Sequence, residues 1–317
     1  MVFADLKNDF VFRRIFGKHP DLLCGLLNDL LGRLDEHTIE AIEYLPSEQL
    51  PLVAGAKLSI LDVRCRDRAG TTFVVEMQLL HVAGFMNRVV YNACRAYVDQ
   101  LKSGEPYTRL TDVVALSICD FVLWADAEQD AEGLPRVPML SRWNMTEQGS
   151  GARDLLQVQY AFLELPKLGA ARPSRGGPEL WAWLFTHAPE LTAVPDDLPS
   201  GPYRAAVELA NEATFSAPEL DAYRKVMDEI QQAREYGDAQ RAEGKAEGKA
   251  EGKAEGKAEG RAEGKAEAVL AVLEARGLAA SAELRARVLG CSDAAVLDRW
   301  LLRALSARTA EEVLGAT

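Results

Sequence analysis

The chain has 317 residues, 48% of them apolar, and a formal net charge of −12 at pH 7. That length and apolar content suffice for at least one full core and a second region, while the acidity argues against a generic nucleic-acid binder, which is usually basic. No run approaches the ~18 consecutive apolar residues that would predict a membrane-spanning helix.

The N-terminal stretch carries acidic residues and an amphipathic pattern in place of a basic region followed by an apolar run, so no secretory leader is expected. Residues 6–17 and 20–33 read as helices divided by Pro20, with Phe12, Ile15, Phe16, Leu22, Leu23, Leu26, Leu27 and Leu30 at helical spacing. Residues 39–45 read as a first strand. Lys57-Leu-Ser-Ile-Leu-Asp62-Val-Arg-Cys and Thr72-Phe-Val-Val-Glu76-Met-Gln78-Leu follow as two strands rich in β-branched residues. Arg68-Ala69-Gly70 between them suits a three-residue hairpin loop with Gly in the left-handed position. That loop pairs Asp67 with Thr71, which sets Asp62 opposite Glu76 and puts Gln78 two residues further along the same face.

Residues 82–103 read as a helix with Phe85, Met86, Val89, Ala93, Ala96 and Tyr97 on its apolar face and Gly104 placed to end it. Residues 113–124 are a nearly continuous apolar run, the pattern of an interior strand covered on both faces. Residues 125–153, with an acidic run at 126–132, read as a polar surface excursion, and strand character returns at 158–165. Helical patterns follow at 178–191, 205–209 and 216–241.

Residues 242–265 are six Ala-Glu-Gly-Lys tetrads with Arg261 the single variant. On a helix each residue type advances about 400° per tetrad, drifting about 40° from a fixed face. Glu then meets Glu and Lys meets Lys at i,i+4, and each glycine costs about 1 kcal/mol relative to alanine. The repeat therefore reads either as part of a long helix from residue 217, paired with another chain, or as a charge-balanced linker. Residues 266–276, 280–289, 294–305 and 309–314 read as a small helical bundle. The resulting division is 1–200, 201–241, 242–265 and 266–317, with self-association expected through the C-terminal regions.

The chemistry concentrates in the hairpin. Directly opposed residues on antiparallel strands have Cβ atoms roughly 4.5–5.5 Å apart, where like charges are destabilising. One reading of Asp62 against Glu76 is a site for a hard divalent cation with oxygen ligands, and Mg²⁺ characteristically uses one or two carboxylates while keeping several waters. The other is a hairpin face on which both acids simply meet water. Five cysteines (24, 65, 94, 119 and 291) form no CxxC pair and fit a reduced, cytoplasmic chain. Four histidines show no zinc spacing.

Asp62, a short hairpin and Glu76-x-Gln78 resemble the PD-(D/E)XK nuclease superfamily. The set of segments is similar to its bacterial Rpn group, recombination-promoting nucleases also called transposases. The segments are Lys7-Asn-Asp9-Phe-Val-Phe12-Arg-Arg-Ile-Phe16-Gly17, Ile60-Leu-Asp62-Val, Val75-Glu76-Met77-Gln78, Arg88-Val-Val-Tyr91, Gln100-Leu-x-x-Gly104-x-x-Tyr107, Asp120-Phe121 and Phe162-Leu-Glu164-Leu. The resemblance implies an α/β fold with a mixed sheet flanked by helices, followed here by a helical C-terminal region. It also implies a metal-dependent DNA endonuclease using Mg²⁺, or Mn²⁺ or Ca²⁺ in vitro. Asp62, Glu76 and the Met77 carbonyl would be the metal ligands. Gln78 would stand where the superfamily most often has Lys, able to position water but carrying no positive charge. Asp9 would be an accessory acid; the alternative for it is a helix N-terminal charge that favours the dipole.

Regional charge agrees better with DNA than the total does. Residues 1–124 hold 13 Lys/Arg against 16 Asp/Glu, and most of the negative excess lies beyond them. Arg64, Arg66 and Arg68 follow Asp62 along its strand and loop, and Arg88 and Arg95 lie seven apart on a helix, all candidates for phosphate contacts.

Overall fold

Asn8 starts the first helix by accepting hydrogen bonds from the Phe10 and Val11 amides at 2.9 and 3.3 Å, an N-cap that satisfies two of the first turn's free donors. In the computed structural model, which describes residues 1–46, 48–49, 59–60, 62–125 and 137–315, this helix is α1 (Asp9–Phe16). Pro20 sits at the first position of α2 (Pro20–Leu31), where its missing N–H costs nothing. Gly32, at φ +63°, closes α2.

Residues 39–41 are not part of the strand expected there. The Asn28 side chain holds Ile39 by bonds to both its N–H and its C=O, so β1 is confined to Ile42–Tyr44. The strand expected from residue 57 is broken: β2 (Glu48–Gln49) forms a two-residue ladder with β3 (Ser59–Ile60), residues 57, 58 and 61 lie outside the described residues, and Asp62 stands just before the next strand and not within one. β4 (Val63–Asp67) and β5 (Thr72–Gln78) form the predicted hairpin in the predicted register, Val63 opposite Val75 and Arg66 opposite Thr72. Gly70 is required twice over. Its φ is +95°, and a Cβ there would come within 2.9 Å of the Thr111 side chain.

The helix expected over 82–103 is shorter, α3 (Phe85–Val98), beginning after Gly84 at φ +77°. It ends before Gly104 because the Gln100 side chain bonds both the N–H and the C=O of Thr111, drawing the chain away toward the next strand. That strand, β6 (Val113–Cys119), is buried throughout. It stops short of Trp124 because the Leu123 and Trp124 amides turn to the buried Glu164 carboxylate, which also holds Lys167 at 3.1 Å. The polar excursion contains an unforeseen edge strand, β7 (Leu140–Trp143), too short and too polar to announce itself by alternation. The acidic run at 126–132 lies outside the described residues. β8 (Val158–Glu164) completes the sheet, in the order β1-β4-β5-β6-β8-β7, with β5-β6 and β6-β8 parallel and the other pairs antiparallel.

Alternate side chains serve two layers. Val63, Cys65, Phe73, Val75, Met77, Leu116, Ile118 and Leu163 pack against α1, α2, α4 (Pro178–His187) and α5 (Pro202–Leu209). Val74, Val113, Ala115 and Phe162 pack on the opposite face against Phe85, Val89, Ala93 and Ala96 of α3. This is the mixed sheet flanked by helices that the resemblance implies.

The chain divides into two compact units, Met1–Arg234 and Glu235–Thr317. The helix α6 (Ala217–Ala275) starts at the residue expected and includes the tetrad repeat. In the second unit, Ala262, Ala266, Val269 and Leu273 pack with Leu284 and Val288 of α7 (Ala282–Leu289) and Leu297, Trp300 and Ala304 of α8 (Ala294–Ala304). Among the described residues no helix is long and apolar enough to cross a membrane.

Candidate active site

The site is assembled from the alternation of β5. The Thr72 N–H donates to the Asp112 carbonyl and the Asp120 N–H to the Gln78 carbonyl, each at 2.8 Å. Even-numbered residues of β5 thus direct their backbone groups at β6, and odd-numbered ones direct theirs at β4. Met77 accordingly donates its N–H to Asp62 Oδ2 at 2.7 Å, one step beyond the last ladder pair, and its carbonyl lies on that same edge. The side chains of Val74, Glu76 and Gln78 stand on the face covered by α3.

α3 carries Arg88 and Asn92 one turn apart beside its apolar stripe. Asn92 donates to Glu76 Oε1 at 2.7 Å, and Arg88 donates to Gln78 Oε1. From α1, Arg13 reaches Asp62 Oδ1 at 2.9 Å. Burial pushes the Glu76 carboxyl above its ordinary range; the Asn92 hydrogen bond and the Arg88 charge oppose that rise and the Asp62 charge adds to it. Asp9 is pushed up to about 6, first by burial and then by the Asp62 charge, with Arg13 pulling the other way.

These groups line a cleft of about 520 Å³ within the first unit. One wall is the start of α6, through Val226, Glu229, Ile230 and Ala233. Among the described lining residues four carboxylates (Asp9, Asp62, Glu76 and Glu229) face two guanidiniums (Arg13 and Arg88). An oxygen-only donor set with a surplus of negative charge, in which Asp62 perturbs both Asp9 and Glu76, suits a hard divalent cation. Among the described residues no three His, Cys, Asp or Glu side chains converge into an all-protein metal cage.

The model of a protein family described as PD-(D/E)XK nuclease family transposase matches residues 6–236. The chain belongs to this family. No curated protein and no solved structure matches it significantly. The matched span of this PD-(D/E)XK family member takes in the whole sheet, the cleft and the α6 wall.

Asp9, Asp62, Glu76, Met77, Gln78 and Arg88 all line the cleft. The other four arginines proposed for phosphate do not. Arg64 points along α3 to the Ala96 carbonyl at 3.5 Å, and Arg66 reaches Thr72. Arg68 pairs with Glu40 on the surface, and Arg95 pairs with Asp99 within its own helix. A strand advances about 3.4 Å per residue, so successive side chains of β4 leave the strand end where the acids meet. Arg13, Asn92 and the α6 residues went unrecognised in the sequence. Arg13 had a signal, since it lies one turn from Asp9; Asn92 had another, as a polar residue beside an apolar helical stripe. α6 had none.

Proposed function

We propose that the chain is a metal-dependent DNA endonuclease that hydrolyses phosphodiester bonds with little sequence selectivity, serving recombination, mobile-element processing or defence. The observation that carries this reading is the convergence of Asp62, Glu76 and Gln78 in one acidic cleft. Asp62, Glu76 and the Met77 carbonyl would hold Mg²⁺, with Mn²⁺ or Ca²⁺ able to substitute in vitro. When bound, the ion would polarise a phosphate oxygen and lower the pKa of water. The chain's own groups provide order. Asn92 orients Glu76, while the Met77 amide and Arg13 orient Asp62. Gln78, a neutral donor and acceptor, positions the attacking water. The water oxygen bonds to phosphorus as one ester P–O bond breaks; the water loses a proton to solvent and the departing oxygen gains one. Every group used addresses phosphate or water rather than a base edge, which supports low selectivity.

Five free cysteines support the cytoplasmic expectation, and self-association through the C-terminal regions stays part of the proposal.

The test is incubation of the purified chain with supercoiled plasmid and Mg²⁺, beside Asp62→Ala and a chelator control. Nicking lost in both controls is the expected result. Nicking that persists in Asp62→Ala would overturn the assignment of this site. An intact plasmid together with measurable DNA binding would point to a DNA-binding regulator that keeps the fold.

A further inference from the structure

Gln78 lines the acid-rich cleft and is neutral. The charge beside it is on α3. Arg88 donates through Nη2 to Gln78 Oε1, its guanidinium carbon lies 5.8 Å from the Phe85 ring centre, and its buried Nε has no hydrogen-bond partner among the described residues. Phe85 and Val89, on either side of Arg88 in sequence, are anchored in the α3 face of the core, which fixes where the arginine starts. The cleft's other described cation, Arg13, is already engaged by Asp62. Arg88 forms no ion pair among the described residues, although its charge is felt by Glu76. It is a guanidinium held by a neutral amide, with donor capacity left over and an acidic cleft in front of it.

We propose that Arg88, oriented by Gln78, is a catalytic residue that contacts the scissile phosphate and stabilises the charge developing on its non-bridging oxygens. The proposal rests on the phosphodiester-hydrolysis reading. Glutamine and arginine divide the two tasks that one lysine could combine: Gln78 positions water, and Arg88 supplies charge. The planar fork suits two oxygens of one phosphate.

The experiment compares the full-length wild type, Arg88→Ala, Gln78→Lys and the double variant Gln78→Lys/Arg88→Ala. Plasmid cleavage is followed against pH at saturating Mg²⁺, Mn²⁺ affinity is measured by calorimetry without DNA, and melting curves confirm folding. Arg88→Ala should lower kcat by about 10²-fold, the order seen when one transition-state donor is removed, without weakening Mn²⁺ binding. The double variant should regain at least about tenfold of that loss and acquire a fall in rate at alkaline pH as the lysine deprotonates. Wild-type cleavage with Arg88→Ala equally active overturns the proposal alone. So does loss of Mn²⁺ affinity in Arg88→Ala, because Arg88 would then be propping the acids, and so does a double variant that recovers nothing. A wild type that cleaves no DNA removes the hydrolysis reading itself, and this proposal with it.

Discussion

Asp9 shows how the cleft's charge surplus acts on a single residue. Its folded pKa, about 6, lies above the ordinary aspartate value of 3.8. A carboxyl raised on folding binds its proton more tightly in the native state, so its contribution to stability declines as pH rises from about 4 to about 6. Asp9→Asn should therefore raise the melting temperature at pH 8 by about 2–4 °C, the shift that about 1 kcal/mol produces in a domain of this size. The gain should vanish by pH 4, and melting curves at the two pH values check both points. Asn92 works in the opposite sense. It is buried and supplies a donor to a buried carboxylate, so Asn92→Ala should destabilise by about 1–3 kcal/mol in urea titrations, the cost of leaving such a group unsatisfied. The same variant should weaken Mn²⁺ binding, because the Glu76 proton would be harder to displace.

At the scale of elements, the hairpin and the repeat helix behave differently. The hairpin register was legible because a three-residue loop and strict alternation leave one register that buries Val63, Cys65, Phe73 and Val75 together. The ends of α3 were not legible. They are decided by Gly84 and by a Gln100–Thr111 contact between residues eleven apart in sequence. In the second unit, the glycines of the tetrads at 244, 248, 252, 256, 260 and 264 have open space where a Cβ would stand. Replacing all six with alanine should raise the thermal midpoint of the helical circular-dichroism signal, since each change favours helix by about 1 kcal/mol. If the repeat instead seats a second copy through those glycines, the same variant should dissociate on sedimentation.

For the whole molecule, the first compact unit ends at Arg234 and the family match at residue 236. A chain ending at Gln240 should keep the fold of the first unit and its metal-dependent cleavage, read by melting curves and plasmid nicking. Because the cleft is acid-rich, phosphate should enter it well only after a cation does. DNA affinity measured by fluorescence anisotropy should accordingly rise on adding Ca²⁺ to the full chain, and Asp62→Ala should abolish the increase. The sequence by itself determined the α/β order, the hairpin register and the start of the long helix. Each of these follows from covalent spacing and from periodicities of 2 and 3.6 residues. The parallel order of the central strands, the short β7, the α6 wall and the reach of Arg13 and Asn92 into the cleft were settled by tertiary structure alone. They depend on which apolar faces find each other across long stretches of chain. Burial then follows from that packing, and with it the raised pKa values of Asp9 and Glu76.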